Sequence, residues 1–205
     1  CACLVGSEMC IRDRADLTEE DYEWLERSVY KPKIVAVGEI GLEYHWNENK
    51  DQQIKAFERQ MQIAREAQLP IIIHSRDAAK DTYDVMKANR ADEMGGIVHC
   101  FSYTKEMAKK FMDMGFYLGI GGVVTFSNAR NLQEVVEYMP MDKMVIETDC
   151  PYMSPVPNRG KRNDSFNLPY VVNKIAEIKG ISPTEVIDIT CENAKNVYGI
   201  GRKRI

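Results

Sequence analysis

No apolar run in these 205 residues approaches the roughly 18–20 that a membrane span requires. Nor does the chain open with the basic, apolar and small-residue regions of a secretory leader. A cytoplasmic protein without a membrane partner is the expectation. Positive charge is in short supply as well: 27 Lys and Arg against 31 Asp and Glu leave a net charge of −4. No global basic field draws a polyanion, so any contact with nucleic acid has to rest on a local cluster or on bound cations. The one cluster, Arg159, Lys161 and Arg162, taken alone reads as a solvated loop.

The six cysteines show no CxxC spacing, which removes a zinc ribbon and a disulfide framework and favours a reduced compartment. No nucleophile elbow and no glycine loop ending in lysine is present. Gly119-Ile-Gly-Gly122 is too short and wrongly continued for a dinucleotide fingerprint. Covalent serine catalysis, nucleoside-triphosphate hydrolysis and an organic cofactor are therefore poor alternatives.

What the chain does have is alternation. Residues 1–14 are cysteine-rich, lack a helical or strand period, and read as a non-native, cloning-derived tail; residues 15–205 carry the domain. Thr18 opens an acidic helical turn, and that helix reaches about Val29. Five short apolar strand runs follow, each leading towards a helix: Ile34 to Glu39, Ile71 to His74, Gly96 to His99, Phe116 to Gly122, and Met144 to Glu147. The helices between them include an amphipathic one from Gln52 to Leu69. Two helices close the chain, the last begun by Ser182-Pro-Thr-Glu185, a capping box with proline at the first helical position. Such repetition predicts an α/β fold, a TIM-type (β/α)8 barrel with about five of its eight βα units present.

Histidine is scarce, and its placement is informative. Of three, His74 and His99 each follow an apolar strand run, as do Glu39 and Asp149 on two others. In a parallel sheet those positions share the C-terminal rim, where barrels keep their active sites. Imidazole mixed with carboxylate suits Zn, Mn or Mg, and one bridging carboxylate can hold two such ions for hydrolysis by an activated water. His45 lacks this register and reads as a loop residue; Cys100 and Cys150 read as small buried packing.

At these residues the sequence resembles the TatD family of metal-dependent deoxyribonucleases, within the metal-dependent hydrolase superfamily. The matching segments are Val35-Ala-Val-Gly-Glu-Ile-Gly-Leu42, Ile71-Ile-Ile-His-Ser-Arg-Asp77, Gly96-Ile-Val-His-Cys-Phe-Ser102, Leu118 to Phe126, Glu147-Thr-Asp-Cys-Pro-Tyr152 and Asn158-Arg-Gly-Lys-Arg-Asn163. The resemblance implies a 3′→5′ exodeoxyribonuclease, a monomer acting on single-stranded ends with two divalent metal ions. It implies Glu39, His74, His99 and Asp149 as metal ligands, with Glu39 bridging and Asp149 helping to activate the water. Arg76, Arg159 and Arg162 become contacts to substrate phosphate, and Glu147 orients its neighbours from behind the ligands.

Departures accompany the likeness. The family's His-x-His pair and a later His-Pro segment are missing, and Glu43 stands where an aspartate is usual. The expectation is therefore an N-terminally truncated fragment, unstable or largely inactive as written. Two other readings compete: a metal-dependent ester or amide hydrolase such as a D-aminoacyl-tRNA deacylase, and a non-catalytic binding remnant.

Overall fold

The computed structural model describes the backbone of residues 3–5 and residues 17–46 and 49–201. The expected non-native tail lies outside them except at Cys3–Val5, which form strand β1. The described residues form two compact units. The first runs through Val98 and takes in Met114–Phe116 and the chain from Val197; the second comprises His99–Asp113 and Tyr117–Asn196.

In the first unit, helix α1 (Glu19–Ser28) begins where its residues dictate. The Thr18 hydroxyl accepts the Asp21 N–H, and the Asp21 carboxylate accepts the Thr18 N–H at 2.8 Å. Strands β2 (Ile34–Glu43), β3 (Ile71–Arg76) and β4 (Gly96–Val98) then pair in parallel, with β1 beside β2. Helix α2 (Lys50–Glu66) follows β2 and α3 (Ala79–Ala88) follows β3. Val37, Ile40, Leu42, Ile71 and Ile73 are fully buried, together with Phe57 and Met61 of α2 and Met86 of α3. Unalternating apolar strands of this kind belong to a parallel sheet whose two faces are covered.

Two strands run further than their apolar runs suggest. From the sequence, β2 is expected to end at Glu39, yet it continues to Glu43. Pairing with β3 shifts register after Val37 and resumes at Ile40 opposite Ile73, with Ile40 and Leu42 filling the core. β3 likewise passes His74 to reach Arg76. Glu39 and His74 thus sit within strands rather than at their ends.

The second unit holds α4 (Lys105–Asp113), β5 (Tyr117–Ile120), α5 (Arg130–Tyr138), β6 (Met144–Ile146), α6 (Leu168–Lys179) and α7 (Pro183–Tyr198, whose last two residues fall in the first unit). β5 and β6 pair in parallel. The expected capping box is present: the Ser182 hydroxyl accepts the Glu185 N–H at 3.2 Å and the Glu185 carboxylate accepts the Ser182 N–H at 2.9 Å. Phe111, Leu118, Ile120, Val135, Met144 and Ile175 are fully buried here. Each such side chain contributes about 1.5–3 kcal/mol by leaving water. In chain order the described residues hold six βα pairs: the five expected, and one more that β1 begins within the stretch read as a tail. No helix among them is long and apolar enough to cross a membrane.

Candidate metal centre

In the first unit His74 sits opposite Gly41 in the β2–β3 register, and the glutamates two residues either side of Gly41 flank its ring. His74 Nδ1 lies 3.4 Å from Glu39 Oε2, and Nε2 lies 3.4 Å from Glu43 Oε2. Gly41 has φ +141°, and a β-carbon there would stand 1.9 Å from the His74 carbonyl oxygen. Only glycine permits that approach.

Glu43 is 4% exposed and well held. Its Oε1 accepts the His45 N–H at 2.8 Å. Its own N–H and carbonyl are clasped by the buried side-chain amide of Gln53, at 2.8 and 3.0 Å. Burial pushes the Glu43 carboxyl up, but hydrogen bonds from His74 and the His45 N–H, with the charges of His74 and Arg76, hold it below the ordinary carboxylate range.

In the second unit His99 follows β4 and Glu147 follows β6. Glu147 Oε2 lies 3.1 Å from His99 Nδ1, and Oε1 accepts the Cys100 N–H at 2.6 Å. His99 Nε2 then faces Asp149, 3.6 Å from its Oδ1. Asp149 holds φ +52° and Cys100 φ +45°, left-handed conformations that a non-glycine residue keeps only when its surroundings enforce them. For Asp149 one restraint is visible: its carbonyl accepts the Tyr152 N–H at 2.9 Å.

A carboxylate therefore flanks opposite nitrogens of the two imidazoles: Glu43 lies 3.4 Å from His74 Nε2, and Glu147 hydrogen-bonds His99 Nδ1. Each presents its other nitrogen towards a carboxylate, Glu39 in one unit and Asp149 in the other. An imidazole fixed on one side by a carboxylate is the usual arrangement of a metal-binding histidine. Together with hard carboxylate oxygens, this donor chemistry fits a divalent cation.

The chain beyond β6 is tied down by two buried asparagines. Asn163 Nδ2 donates to the carbonyls of Thr148 and Tyr152, and its Oδ1 accepts the Asn167 side-chain amide at 2.9 Å and the Asp164 N–H at 3.0 Å. The arginines expected to meet phosphate are all exposed: Arg76 at the end of β3, Arg162, and Arg159, whose guanidinium lies 4.2 Å from the Phe126 ring centroid.

The structure brings Glu39 to His74 in one unit, and His99 to Asp149 and Glu147 in the other. The sequence marked Glu43 only as a departure from the family's usual aspartate, without a role, and did not single out Gln53 or Asn167. For Glu43 a signal existed: Glu39, Gly41 and Glu43 alternate, so a strand continuing past Glu39 turns both acids to one face. Cys150 is exposed and Cys100 half-buried rather than packed inside, because each lies in the backbone turn beyond a strand. His45 is a loop residue as expected, its Nδ1 3.0 Å from Asp77 Oδ2.

A family model described as TatD related DNase matches residues 11–199. The metal-dependent hydrolase YabD of Bacillus subtilis (strain 168) is 47% identical over 189 residues, 92% of this chain and 74% of that protein. A protein of Rahnella sp. (strain Y9602) named 3′-5′ ssDNA/RNA exonuclease TatD is 34% identical over 179 residues, 84% of this chain and 68% of its own. Among solved structures, the TatD homologue YjjV of Escherichia coli K12 superposes with a TM-score of 0.90 at 24% identity, covering 97% of this chain and 77% of that one. The α/β architecture is thus that of a TIM-type barrel, represented among the described residues by six βα units. The chain belongs to the TatD-related DNase family of metal-dependent hydrolases.

Proposed function

We propose that this chain hydrolyses phosphodiester bonds of DNA from a 3′ end, using two divalent metal ions held by Glu39, His74, His99 and Asp149. One observation carries the reading. Each histidine has a carboxylate beside one ring nitrogen, Glu43 at His74 and Glu147 at His99, while the other faces an acid of the predicted ligand set. When bound, Mg, Mn or Zn supplies Lewis-acid polarisation and makes a water nucleophilic near neutral pH.

The chain's own groups do the rest. Glu39 would hold the ions together with His74, and Asp149, with His99 alongside, would accept at its carboxylate the proton that the attacking water gives up. Glu43 and Glu147 keep the imidazoles oriented. Arg76, Arg159 and Arg162 meet the substrate phosphates with bidentate donors. The name of the Rahnella relative supports a nucleic-acid substrate. No His-x-His pair occurs in the 205 residues, so weak metal retention and slow turnover are expected.

The test incubates excess protein with 5′-labelled single-stranded DNA and Mn2+. The expected product is a ladder shortened from the 3′ end, abolished by EDTA and by Asp149→Asn. Cleavage that survives either treatment would refute the reading, and so would failure of the chain to bind a divalent ion by calorimetry.

A further inference from the structure

The stretch from Cys150 to Asn167 differs from the rest of the surface in two independent ways. It carries Arg159, Lys161 and Arg162 against a single carboxylate, Asp164, in a chain whose net charge is −4. It also concentrates exposed apolar side chains. Among the described residues eleven large hydrophobics are exposed, and four of them, Tyr152, Met153, Val156 and Phe166, lie in these eighteen positions. Phe166 is 90% exposed and Tyr152 71%. An aromatic ring left in water contributes nothing to folding, and a single one needs no explanation. Two beside three exposed cations are a different matter.

The backbone beneath these side chains is not loose. Asn163 clasps Thr148, Tyr152, Asp164 and Asn167 together. The Ser154 hydroxyl donates to the Lys161 carbonyl at 2.6 Å, and the Val156 N–H donates to the Thr125 hydroxyl at 2.8 Å. The Phe166 N–H donates to Asp164 Oδ1 at 2.9 Å. The rings are therefore presented on a framework ordered in advance, which lowers the entropy cost of binding. The stretch starts directly after Asp149, the acid assigned to the reaction.

We propose that this stretch is a binding platform for single-stranded nucleic acid, with Tyr152 and Phe166 as stacking surfaces for unpaired bases and Lys161 and Arg162 as phosphate contacts. Bases stack on exposed aromatic rings whatever their sequence, while cations follow the backbone. Paired bases inside a duplex keep their faces covered, so the platform favours an unpaired end. This inference rests on the nuclease reading and adds to it the side chains that choose the form of the substrate.

The experiment measures fluorescence anisotropy of a labelled short oligothymidylate and of an abasic strand of equal length, in EDTA so that neither is cut. The unmodified chain is expected to bind the base-bearing strand more tightly. Tyr152→Ala and Phe166→Ala are each expected to weaken that strand about tenfold, in keeping with the cost of losing one stacked base. Neither should change the abasic strand or the salt dependence, and Phe166→Trp should restore binding. Lys161→Ala and Arg162→Ala should weaken both strands alike and flatten the slope of log affinity against log salt by about 0.7 each. Thermal melts of every variant separate lost stacking from lost fold. Equal affinity of the unmodified chain for both strands, or unchanged oligothymidylate binding by the doubly substituted Tyr152/Phe166 variant, overturns the platform alone. Absence of all binding to either strand likewise overturns the platform, while the nuclease reading stands or falls separately on the cleavage assay with Mn2+.

Discussion

Gly119→Ala tests the geometry around His99 with a single methyl group. Gly119 lies on β5, where its φ is outside the left-handed region, so alanine meets no backbone penalty and any effect is steric. The added carbon would stand 2.4 Å from Glu147 Oε2, 2.8 Å from its carboxyl carbon and 3.3 Å from the His99 Cα. Ordinary contact begins near 3.4 Å, so the carboxylate must retreat by about 1 Å. Such a shift takes Oε2 out of hydrogen-bonding range of His99 Nδ1, now 3.1 Å away, and disturbs the bond from the Cys100 N–H.

Overpacking of this kind costs about 1–3 kcal/mol, and a disturbed charged hydrogen bond adds about 1.5–3 kcal/mol. We expect denaturant melts to show a loss of about 2.5–6 kcal/mol, towards the lower end because the displaced atoms are the far end of the Glu147 side chain. Calorimetry should show divalent-metal affinity falling about 10–100-fold, the usual effect of releasing a ligand's backing carboxylate. Glu147→Gln, which keeps the shape and removes the charge, should reproduce the metal defect with less loss of stability. An alanine variant that melts and binds metal like the parent would show that Glu147 neither fills that space nor orients His99.

Other substitutions probe the remaining contacts. Glu43→Gln should lower divalent-metal affinity about tenfold while leaving the circular dichroism spectrum unchanged, and unchanged affinity would disprove a role for Glu43 behind His74. Asn163→Ala leaves two backbone carbonyls and the Asn167 amide without their partner, so a stability loss of about 2–4 kcal/mol is expected in urea melts. The Asp21 and Glu185 carboxyls are held below their ordinary range by hydrogen bonds from Thr18 and Ser182 at helix starts. Their support for α1 and α7 is present above the unfolded pKa values and fades as pH falls through the lower folded ones. Helicity should therefore decline below about pH 4, and Asp21→Asn with Glu185→Gln should flatten that decline. Ser182→Ala should cost about 1 kcal/mol at neutral pH, read from the same melts.

Local chemistry was readable from the residues themselves. Thr18 with Asp21 and Ser182 with Glu185 are three apart, so both helix starts were visible in the sequence. Apolar runs located every strand of the five expected βα units, and the positions after them nominated His74, His99, Glu39 and Asp149. The strand limits were less legible. A run containing Gly38, Glu39 and Gly41 looks finished at Glu39, whereas pairing between β2 and β3 carries it four residues further.

Residue types and their periodicity, acting over a few positions, were enough to read the α/β repeat and to nominate the donors, while the ordered motif segments carried the family resemblance. Tertiary structure alone decided which carboxylate stands behind which imidazole. Glu43 reaches His74 across 31 residues, and Glu147 reaches His99 across 48. The Gln53 clasp on Glu43 spans ten residues, and the Asn163 amide reaches the carbonyls of Tyr152 and Thr148 across 11 and 15. Such contacts depend on strand register and on the space glycine leaves at positions 41 and 119, neither of which any short stretch of sequence encodes.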